Sequence, residues 1–547
     1  MIQLPDMLRA MECDPIPRAI EEWTQILGAE NVICGDEALA PFRQNTSGLR
    51  REMNVVLRPA STEEVRRIVA TANSCRVPLY PVSCGKNWGL GSALPVRDGG
   101  VVVDLRRMNR IVEVNADRCY AVVEPGVTQG QLHDHLRAHK IPLTLNVTGS
   151  GTRTSLIGNS LERGIGYFGS RADSLSGLEV VLGNGDVLHT GMSHFEGATT
   201  SYLYRHGIGP SLDGLFFQSA YGVVTRAGVD LLPNTDQHMA VIVKIENESQ
   251  FTGLVDGLVG LRRRGILRTV IHAGNRGRAR ITLGPILYDL LSREASDSEP
   301  ERKQRVESIL DAEGFGPWSA VAGLMGTPGV LKQARSEIRR TLRRVGKVQF
   351  LTDRKLRFLE KLVDVLSFLP GASNKKAMLK AMLPLHGLSK GIPTDEALKS
   401  VYWPLGEQPA NDPPEPDDSP CGILYCLPFI PSTGACAREA VDLAETVFSE
   451  HGFVPYITVN IVDEKSSECV ISLAFHKTKE DEVARAHACI EKLQAQYLKK
   501  GFIPYRVGIQ SMHQIVDEGD VFWRTVRDLK QVLDPNNIIS PGRYNLI

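Results

Sequence analysis

This sequence predicts an α+β fold with two domains, and three features of its 547 residues lead to that prediction. Short apolar runs alternate with segments of helical periodicity through residues 54–232, and their spacing favours mixed strand pairing over a doubly wound parallel sheet. A glycine-rich stretch, residues 81–95, lies between two predicted strands. After Pro233, helix-rich and charged segments are followed by a second group of strands.

The first group of elements, residues 54–232, contains clear helix-start and turn signals. Two capping boxes predict helix starts, because a Ser or Thr side chain there accepts a bond from an N–H three residues on. An Asn-Gly pair predicts a tight hairpin turn. The predicted elements are the strand 54–57, the helix opened by Ser61 and Glu64, the helix opened by Thr128 and Gln131, the hairpin 178–188 with a type I′ turn at Asn184 and Gly185, and the closing strands 221–232.

The second group of elements follows Pro233 and ends near residue 500. It combines apolar, β-branched strands with long charged helices, which predicts a sheet covered by helices. A run rich in Pro, Asp and Glu, residues 404–420, is predicted to be an exposed and mobile loop. The predicted elements are the strand 239–244, a helix-rich region 300–385, the strands 423–427, 456–460 and 468–475, and the helices 434–450 and 480–500.

Two glycine-rich segments in the first group indicate a ligand site. In the first, P-V-S-C-G-K-N-W-G-L-G-S, Gly85, Gly89 and Gly91 permit positive φ and a close approach of the backbone to a ligand. Successive N–H groups in such a loop form a concavity that binds anions. The spacing fits neither G-x-x-x-x-G-K-[ST] nor G-x-G-x-x-G, so we expect a diphosphate cradle of another type. The second segment runs from Thr148 to Tyr167.

The order of four motifs resembles that of one enzyme family. P-V-S-x-G-x-N is followed by V-E-P-G-V-T, then by G-N-S-L-E-R-G-x-G-Y, and by the tail L-D-P-N-N-I-I-S-P-G-R at residues 533–543. With G-I-P-T-D-E-A-L at 391–398 and Y-R at 505–506, this order resembles the vanillyl-alcohol oxidase and p-cresol methylhydroxylase family of FAD-linked oxidoreductases. The resemblance covers nearly the whole chain. It implies an FAD-binding domain at 1–235, a cap domain at 236–500 and a return of residues 501–547 to the first domain.

The resemblance implies that FAD lies along the first domain, with backbone N–H groups of the glycine-rich segments at its diphosphate. The family's covalent histidine or tyrosine corresponds to Glu468, and the glycine-loop histidine of more distant relatives corresponds to Asn87. FAD is therefore expected to bind without a covalent bond, with Cys84 as a lesser candidate for a thioether link. The residues expected to contact FAD are Ser83, Cys84, Gly85, Lys86, Asn87, Trp88, Gly91, Ser92, Pro125, Gly126, Gly149, Ser150, Ser155, Gly158, Asn159, Glu162, Arg163, Gly164, Gly222, Val223 and Arg543.

Four residues are expected to act on the substrate. In family members that oxidise para-substituted phenols, the residues corresponding to Tyr167, Tyr505 and Arg506 hold the phenol oxygen. The resulting phenolate drives loss of a hydride from the para substituent, and a quinone methide forms. Glu468 is either a base that faces the flavin or a charge on the surface of the cap.

Departures from the family pattern keep other functions open. Leu90 replaces a third tyrosine of the phenol-oxidising members, and Ser150 stands where one of them has an aspartate. The same fold acting on a non-phenolic alcohol, amine or natural-product intermediate is therefore an alternative, and a non-catalytic flavin-binding protein is another. An NAD-linked Rossmann enzyme is disfavoured, because no acidic residue follows a G-x-G-x-x-G turn.

Composition limits the classes of partner. The 63 Lys and Arg residues balance 63 Asp and Glu residues, so neither nucleic acid nor a membrane is expected as a partner. No secretory pattern and no bilayer-length apolar run is present, and a cytoplasmic location is expected. His133, His135 and His139 lack a further candidate ligand, so no metal is expected. The resemblance implies a small-molecule substrate, O₂ or a redox protein as electron acceptor, and a homodimer or larger assembly.

Overall fold

The computed structural model describes residues 15–235, 237–294, 298–365 and 371–545. Both predicted capping boxes begin helices: the Ser61 side chain accepts the Glu64 N–H at 3.2 Å, and the Thr128 side chain accepts the Gln131 N–H at 3.1 Å. The α-helices of the described residues are Pro15–Leu27, Asp36–Arg43, Thr62–Cys75, Gln129–Ala138, Leu156–Leu161, Phe251–Arg263, Arg276–Glu294, Glu299–Ala312, Pro328–Leu342, Asp353–Val365, Ala372–Leu388, Gly434–Glu450, Glu480–Lys500 and Val521–Leu533.

Short sheets with mixed pairing form the first part of the chain, as predicted. The strands are β1 Val32–Ile33, β2 Met53–Leu57, β3 Leu79–Val82, β4 Gly100–Asp104, β5 Ile111–Asn115, β6 Tyr120–Val123, β7 Leu143–Thr144, β8 Ile165–Gly166, β9 Gly169–Ser170, β10 Leu175–Leu182, β11 Val187–His189, β12 Gly222–Asp230 and β13 Leu232–Pro233. A four-stranded sheet has the order β1-β2-β4-β3, in which β3 and β4 run parallel, and a five-stranded antiparallel sheet has the order β11-β10-β12-β6-β5.

One large antiparallel sheet forms the second part of the chain. Its order is β17-β14-β16-β15-β20-β21-β18, and β19 pairs with β21. Alternate residues, such as Val241, Ala273, Val459 and Ile471, pack in one core with four helices, and the residues between them face a cavity. The strands are β14 Gln237–Lys244, β15 Ile271–Asn275, β16 Trp318–Gly326, β17 Lys347–Leu351, β18 Cys421–Cys426, β19 Phe429–Pro431, β20 Tyr456–Ile461 and β21 Ser466–His476.

The region 300–385 is helix-rich as predicted, but it also contains two strands that the sequence did not predict, β16 and β17. The sequence of β16, W-S-A-V-A-G-L-M-G, is rich in Ala and Gly, which are depleted in strands. The strand forms because Trp318, Ala320, Ala322 and Leu324 alternate into the core. Tertiary packing therefore overrides the local preference.

The hairpin at 178–188 is confirmed, but its turn is not type I′. That turn requires positive φ at both central residues. Asn184 is absent from the described residues with positive φ, whereas Gly185 has φ 92°. The Gly185 N–H donates to the Leu182 carbonyl at 2.9 Å. A tight turn closed by one left-handed glycine results.

The acidic run at 404–420 is less exposed than its composition predicts, and its mobility stays a prediction. Its second half packs on the first glycine-rich segment, and Asp417 is buried. The Asp417 carboxylate accepts bonds from Ser92 Oγ at 2.6 Å and Trp88 Nε1 at 3.1 Å. Glu415 pairs with Lys86. Composition does not reveal these contacts, because each partner lies more than 300 residues away in sequence.

The C-terminal segment packs against the first part of the chain. Ile538 and Ile539 share a core with Leu79 of β3, and Val507 and Tyr544 share another with Val102 of β4. The predicted domain boundaries stay predictions, and residues 1–14 and 546–547 lie outside the described residues. None of the described helices combines the length and apolar character that crossing a membrane requires.

Candidate functional site

Two adjoining cavities lie beside the glycine-rich segments, and the second of them also reaches the large sheet. The first has a volume of about 160 Å³ and runs between the two glycine-rich segments and the C-terminal tail. The second has a volume of about 460 Å³ and lies against the face of the large sheet that is opposite its packed helices. The cavities meet, because the same five residues line both: Lys86, Asn87, Leu90, Asn159 and Arg506.

Most residues predicted to contact FAD line one of these cavities. The first is lined by Ser83, Cys84, Gly85, Lys86, Asn87, Ser92, Ser155, Gly158, Asn159, Glu162, Gly222, Val223 and Arg543. The second is lined by Trp88, Gly149, Ser150 and Gly164, together with the predicted catalytic residues Tyr167, Glu468, Tyr505 and Arg506. Their roles toward FAD stay predictions, but the structure brings these distant segments together.

Four predicted FAD contacts, Gly91, Pro125, Gly126 and Arg163, line neither cavity. A Cβ on Gly91 would lie 2.8 Å from the Ile509 side chain, and one on Gly126 would lie 2.7 Å from the Arg106 carbonyl. The Pro125 carbonyl accepts the Ser155 hydroxyl at 2.6 Å. The structure therefore gives these three a packing role behind the cavity wall. Arg163 lines a separate outer groove.

The first cavity lies where the backbones of the two glycine-rich segments approach each other. The two glycine-rich segments touch, since a Cβ on Gly158 would lie 2.7 Å from Ser83 Oγ. Such close backbone approach leaves N–H groups near a bound anion. At one end Arg543 pairs with Glu162 and donates to the Tyr80 hydroxyl at 2.7 Å. The smaller cavity is continuous with the larger one, so an extended ligand such as FAD could occupy both.

Cys84 lines the cradle but is a weak nucleophile. Its sulfur lies 3.7 Å from the Gly126 carbonyl oxygen, to which it donates. Burial raises the pKa of this thiol to about 12. The thiolate is the reactive form of cysteine, so the environment of Cys84 does not favour a thioether link.

The second cavity receives a chain of polar side chains from three neighbouring strands. His272 on β15, Asn460 on β20 and Glu468 on β21 are adjacent in the sheet register. Asn460 Nδ2 donates to Glu468 Oε2 at 3.4 Å, so its Oδ1 faces His272 Nδ1 at 2.7 Å. Burial lowers the pKa of His272 to about 4. The histidine is therefore neutral with its proton on Nδ1. The Tyr167 ring packs against it in a tilted arrangement, with 4.6 Å between the ring centroids.

Glu468 faces the cavity and not the cap surface, because its residue is only 2% exposed. Its side chain accepts a hydrogen bond from the Tyr505 hydroxyl, and burial raises its pKa above the ordinary value. Burial also raises the pKa of Tyr505 well above its ordinary value. Arg506 Nη2 donates to Asn87 Oδ1 at 2.6 Å, which links this group to the first glycine-rich segment.

Sequence reasoning missed His272, Asn460, Tyr425 and Arg278, all of which line the second cavity. No short motif marks these residues. The only signal is the alternation of β15 and β20, in which Ile271 and Ala273 flank His272 and are fully buried in the core. That alternation predicts that His272 lies on the opposite face, but not that this face covers a cavity.

Comparison with known proteins agrees with this geometry. Residues 53–191 match the family model of an FAD binding domain. The chain is 32% identical over 539 residues to 1'-carboxy-chondrochloren decarboxylase of Chondromyces crocatus, covering 98% of each chain. It is 27% identical over 537 residues to the 4-cresol dehydrogenase [hydroxylating] flavoprotein subunit of Pseudomonas putida, covering 97% of this chain and 95% of the relative.

Solved structures show the same fold. The chain resembles p-cresol methylhydroxylase with substrate bound at a TM-score of 0.82 and 24% identity, covering 98% of each chain. It resembles 4-ethylphenol oxidase from Gulosibacter chungangensis to the same degree. The predicted two-domain α+β flavoprotein fold is thus confirmed. The chain belongs to the vanillyl-alcohol oxidase and p-cresol methylhydroxylase family and is an FAD-dependent oxidoreductase.

Proposed function

We propose that this protein oxidises the benzylic carbon of a para-hydroxylated aromatic substrate, of the 4-alkylphenol or 4-hydroxybenzyl alcohol type. The observation that carries the proposal is the convergence of Tyr505, Arg506, Glu468 and Tyr167 on one cavity next to the glycine-rich cradle. The 4-cresol dehydrogenase relative and the two phenol-handling structural neighbours support the same substrate class.

Arg506 and Tyr505 would hold the phenol oxygen as an anion. A phenol has a pKa of about 10, so at neutral pH the free substrate is almost entirely protonated. A guanidinium and a hydroxyl donor at the oxygen favour the phenolate. The phenolate pushes electron density to the para position, where a hydride leaves the benzylic carbon and a quinone methide results. Water then adds to that carbon and gives the benzylic alcohol.

Glu468 would take the phenol proton through Tyr505. The Tyr505 hydroxyl donates to Glu468, so a proton can pass from the substrate to Tyr505 as Tyr505 releases its own to the carboxylate. Burial raises the pKa of Glu468 above its ordinary value, which makes its carboxylate a better proton acceptor. Asn460 Nδ2 keeps the carboxylate oriented.

When bound, FAD supplies the two-electron acceptor for the hydride. We propose that Ser83, Gly85, Gly158 and Arg543 hold its diphosphate end, and that attachment is non-covalent. Release of the flavin into the supernatant on acid precipitation supports non-covalent binding. Yellow colour that stays with the precipitated protein contradicts it. The electron acceptor (O₂ or a redox protein), a homodimer or larger assembly and a cytoplasmic location stay predictions.

A second candidate function is oxidative decarboxylation in the same cavity. It is favoured by Arg278, a cavity-lining guanidinium without a protein partner among the described residues, and by the decarboxylase relative. Loss of a benzylic hydride from a phenolate with a carboxylate on the next carbon gives a quinone methide. The bond to the carboxylate then breaks, and its electron pair restores the aromatic ring. The products are CO₂ and a 4-vinylphenolate.

Product analysis tests both candidates with the holoenzyme and an artificial electron acceptor. With 4-propylphenol in ¹⁸O-labelled water, we expect 1-(4-hydroxyphenyl)propan-1-ol that carries the label. With 3-(4-hydroxyphenyl)propanoate, release of CO₂ and 4-vinylphenol supports the second candidate, and a hydroxylated acid supports the first. The absence of any product from either substrate contradicts both.

A further inference from the structure

The second cavity is lined by four lysine and arginine residues, and three of them have protein partners. Lys86 pairs with Glu415, Lys244 pairs with Glu313 at 2.8 Å, and Arg506 donates to Asn87. The guanidinium of Arg278 makes no hydrogen bond or ion pair with any residue that the structure describes, although it lines the same cavity.

The position of Arg278 is fixed by its own helix. The Arg278 N–H donates to Asn275 Oδ1 at 2.8 Å in the first turn of the helix Arg276–Glu294. The stem of Arg278 lies next to Gly274, since a Cβ built there would be 3.4 Å from Arg278 Cγ, an ordinary contact distance. The backbone from which the guanidinium extends is therefore held at the start of a helix.

The acidic side chains that line this cavity are already committed elsewhere. Glu313 pairs with Lys244, and Glu468 accepts bonds from Tyr505 and Asn460. The nearest groups that feel the Arg278 charge are Tyr167, His272 and Tyr425, and none of these is an anion at neutral pH. A half-buried cation without a counter-ion is costly, and a ligand anion would remove that cost.

We propose that Arg278 binds a carboxylate of the substrate, so that the substrate class is the 4-hydroxyphenylalkanoates and related phenols with an acidic side chain. This inference rests on the proposed phenol oxidation and names its substrate class. A guanidinium presents a planar fork that matches a carboxylate with two parallel bonds. A single guanidinium also balances a single negative charge.

Arg506 and Arg278 stand on different walls of the cavity, so each could bind a different anionic group of one ligand. Arg506 lies beside Asn87 of the glycine-rich segment and would hold the phenolate, whereas Arg278 lies on the helix that forms another wall of the cavity. The charges of both arginines act on Tyr425, so both lie in the same region of the cavity. A phenol with a short acidic chain would reach both.

The test compares 3-(4-hydroxyphenyl)propanoate with its uncharged amide by anaerobic stopped-flow reduction of the holoenzyme. The wild type is expected to bind the acid about 10- to 100-fold more tightly than the amide, the range of a charge-assisted hydrogen-bonded pair. R278M should lose that preference while keeping an affinity for the amide close to that of the wild type. R276M, which removes an exposed arginine two residues earlier, should behave as the wild type.

Two outcomes overturn the inference. One is a wild type that binds the acid and the amide equally. The other is an R278M variant that weakens both ligands alike or shifts the flavin reduction potential, which would mean that Arg278 serves the flavin. If neither ligand reduces the flavin, the proposed oxidation fails, and the acid preference is then read from the change in flavin absorbance on binding. If R278M does not fold, the ratio of the affinities for the acid and for the amide is compared between the wild type and R278K instead.

Discussion

Replacing Arg506 with methionine is expected to lower the rate constant for oxidation of a 4-alkylphenol by about 10³-fold at pH 7. Without the guanidinium, only about one phenol in 10³ is ionised at that pH, because the pKa of the free phenol is about 10. The loss should appear in the rate of flavin reduction measured anaerobically. The structure supports this role, since Arg506 lines both cavities and stands beside Asn87 and Tyr505.

The pH profile gives the same prediction a sharper form. In R506M the reduction rate should rise about tenfold per pH unit from pH 7 toward the phenol pKa, because the phenolate fraction rises in that proportion. In the wild type the rate should be nearly flat over that interval, since the bound phenol is already ionised. R506K keeps a positive charge but loses the planar fork, and it should lie between the two. An R506M enzyme within tenfold of the wild type, with an unchanged profile, contradicts the role.

Replacing Gly89 with alanine is expected to lower the free energy of unfolding by about 2–4 kcal/mol, from overpacking and a strained φ together. Gly89 has φ 73°, and its N–H donates to Thr46 Oγ1 at 2.7 Å. A Cβ there would lie 2.3 Å from the Tyr425 ring, which packs against the loop. The loop would have to move away from the ring, and the cradle beside it would open.

Gly99 offers a matched control for that substitution. It also has positive φ, at 80°, but a Cβ there would meet nothing within 4 Å. Gly99→Ala should therefore cost only the backbone strain, about 1–2 kcal/mol. The midpoint of thermal unfolding and the flavin content of the purified protein measure both variants. Equal effects of G89A and G99A, with full flavin content in each, would show that the contact with Tyr425 is unimportant.

The sequence predicts those parts of the site whose residues belong to short local motifs. The two glycine-rich segments and the Tyr505–Arg506 pair each stand in a short recognisable pattern, and the structure brings both to adjoining cavities. The sequence identifies Glu468 as a candidate but does not show which face of the sheet its side chain occupies. A strand residue faces one of two sides, and which side covers a cavity depends on strands as distant in the chain as β14, Gln237–Lys244.

The unpredicted parts depend on contacts between distant segments. His272 gains its tautomer from Asn460, and Asp417 gains its burial from Trp88 and Ser92. In each case the residue type alone favours a different reading: a polar strand residue in a solvated sheet, or a charge in a mobile acidic loop. Only packing reveals that these groups lie beside the glycine-rich cradle and the substrate cavity.

The central claim is that a phenolate, held at Tyr505 and Arg506, drives hydride loss from the benzylic carbon. Anaerobic titration of the holoenzyme with 4-propylphenol and with its O-methyl ether tests this claim most directly, because the two compounds share the benzylic carbon and differ in the ionisable oxygen. We predict that the phenol bleaches the flavin absorbance and that the ether leaves it unchanged. Bleaching by both compounds, or by neither, would contradict the phenolate mechanism while leaving the flavoprotein fold in place.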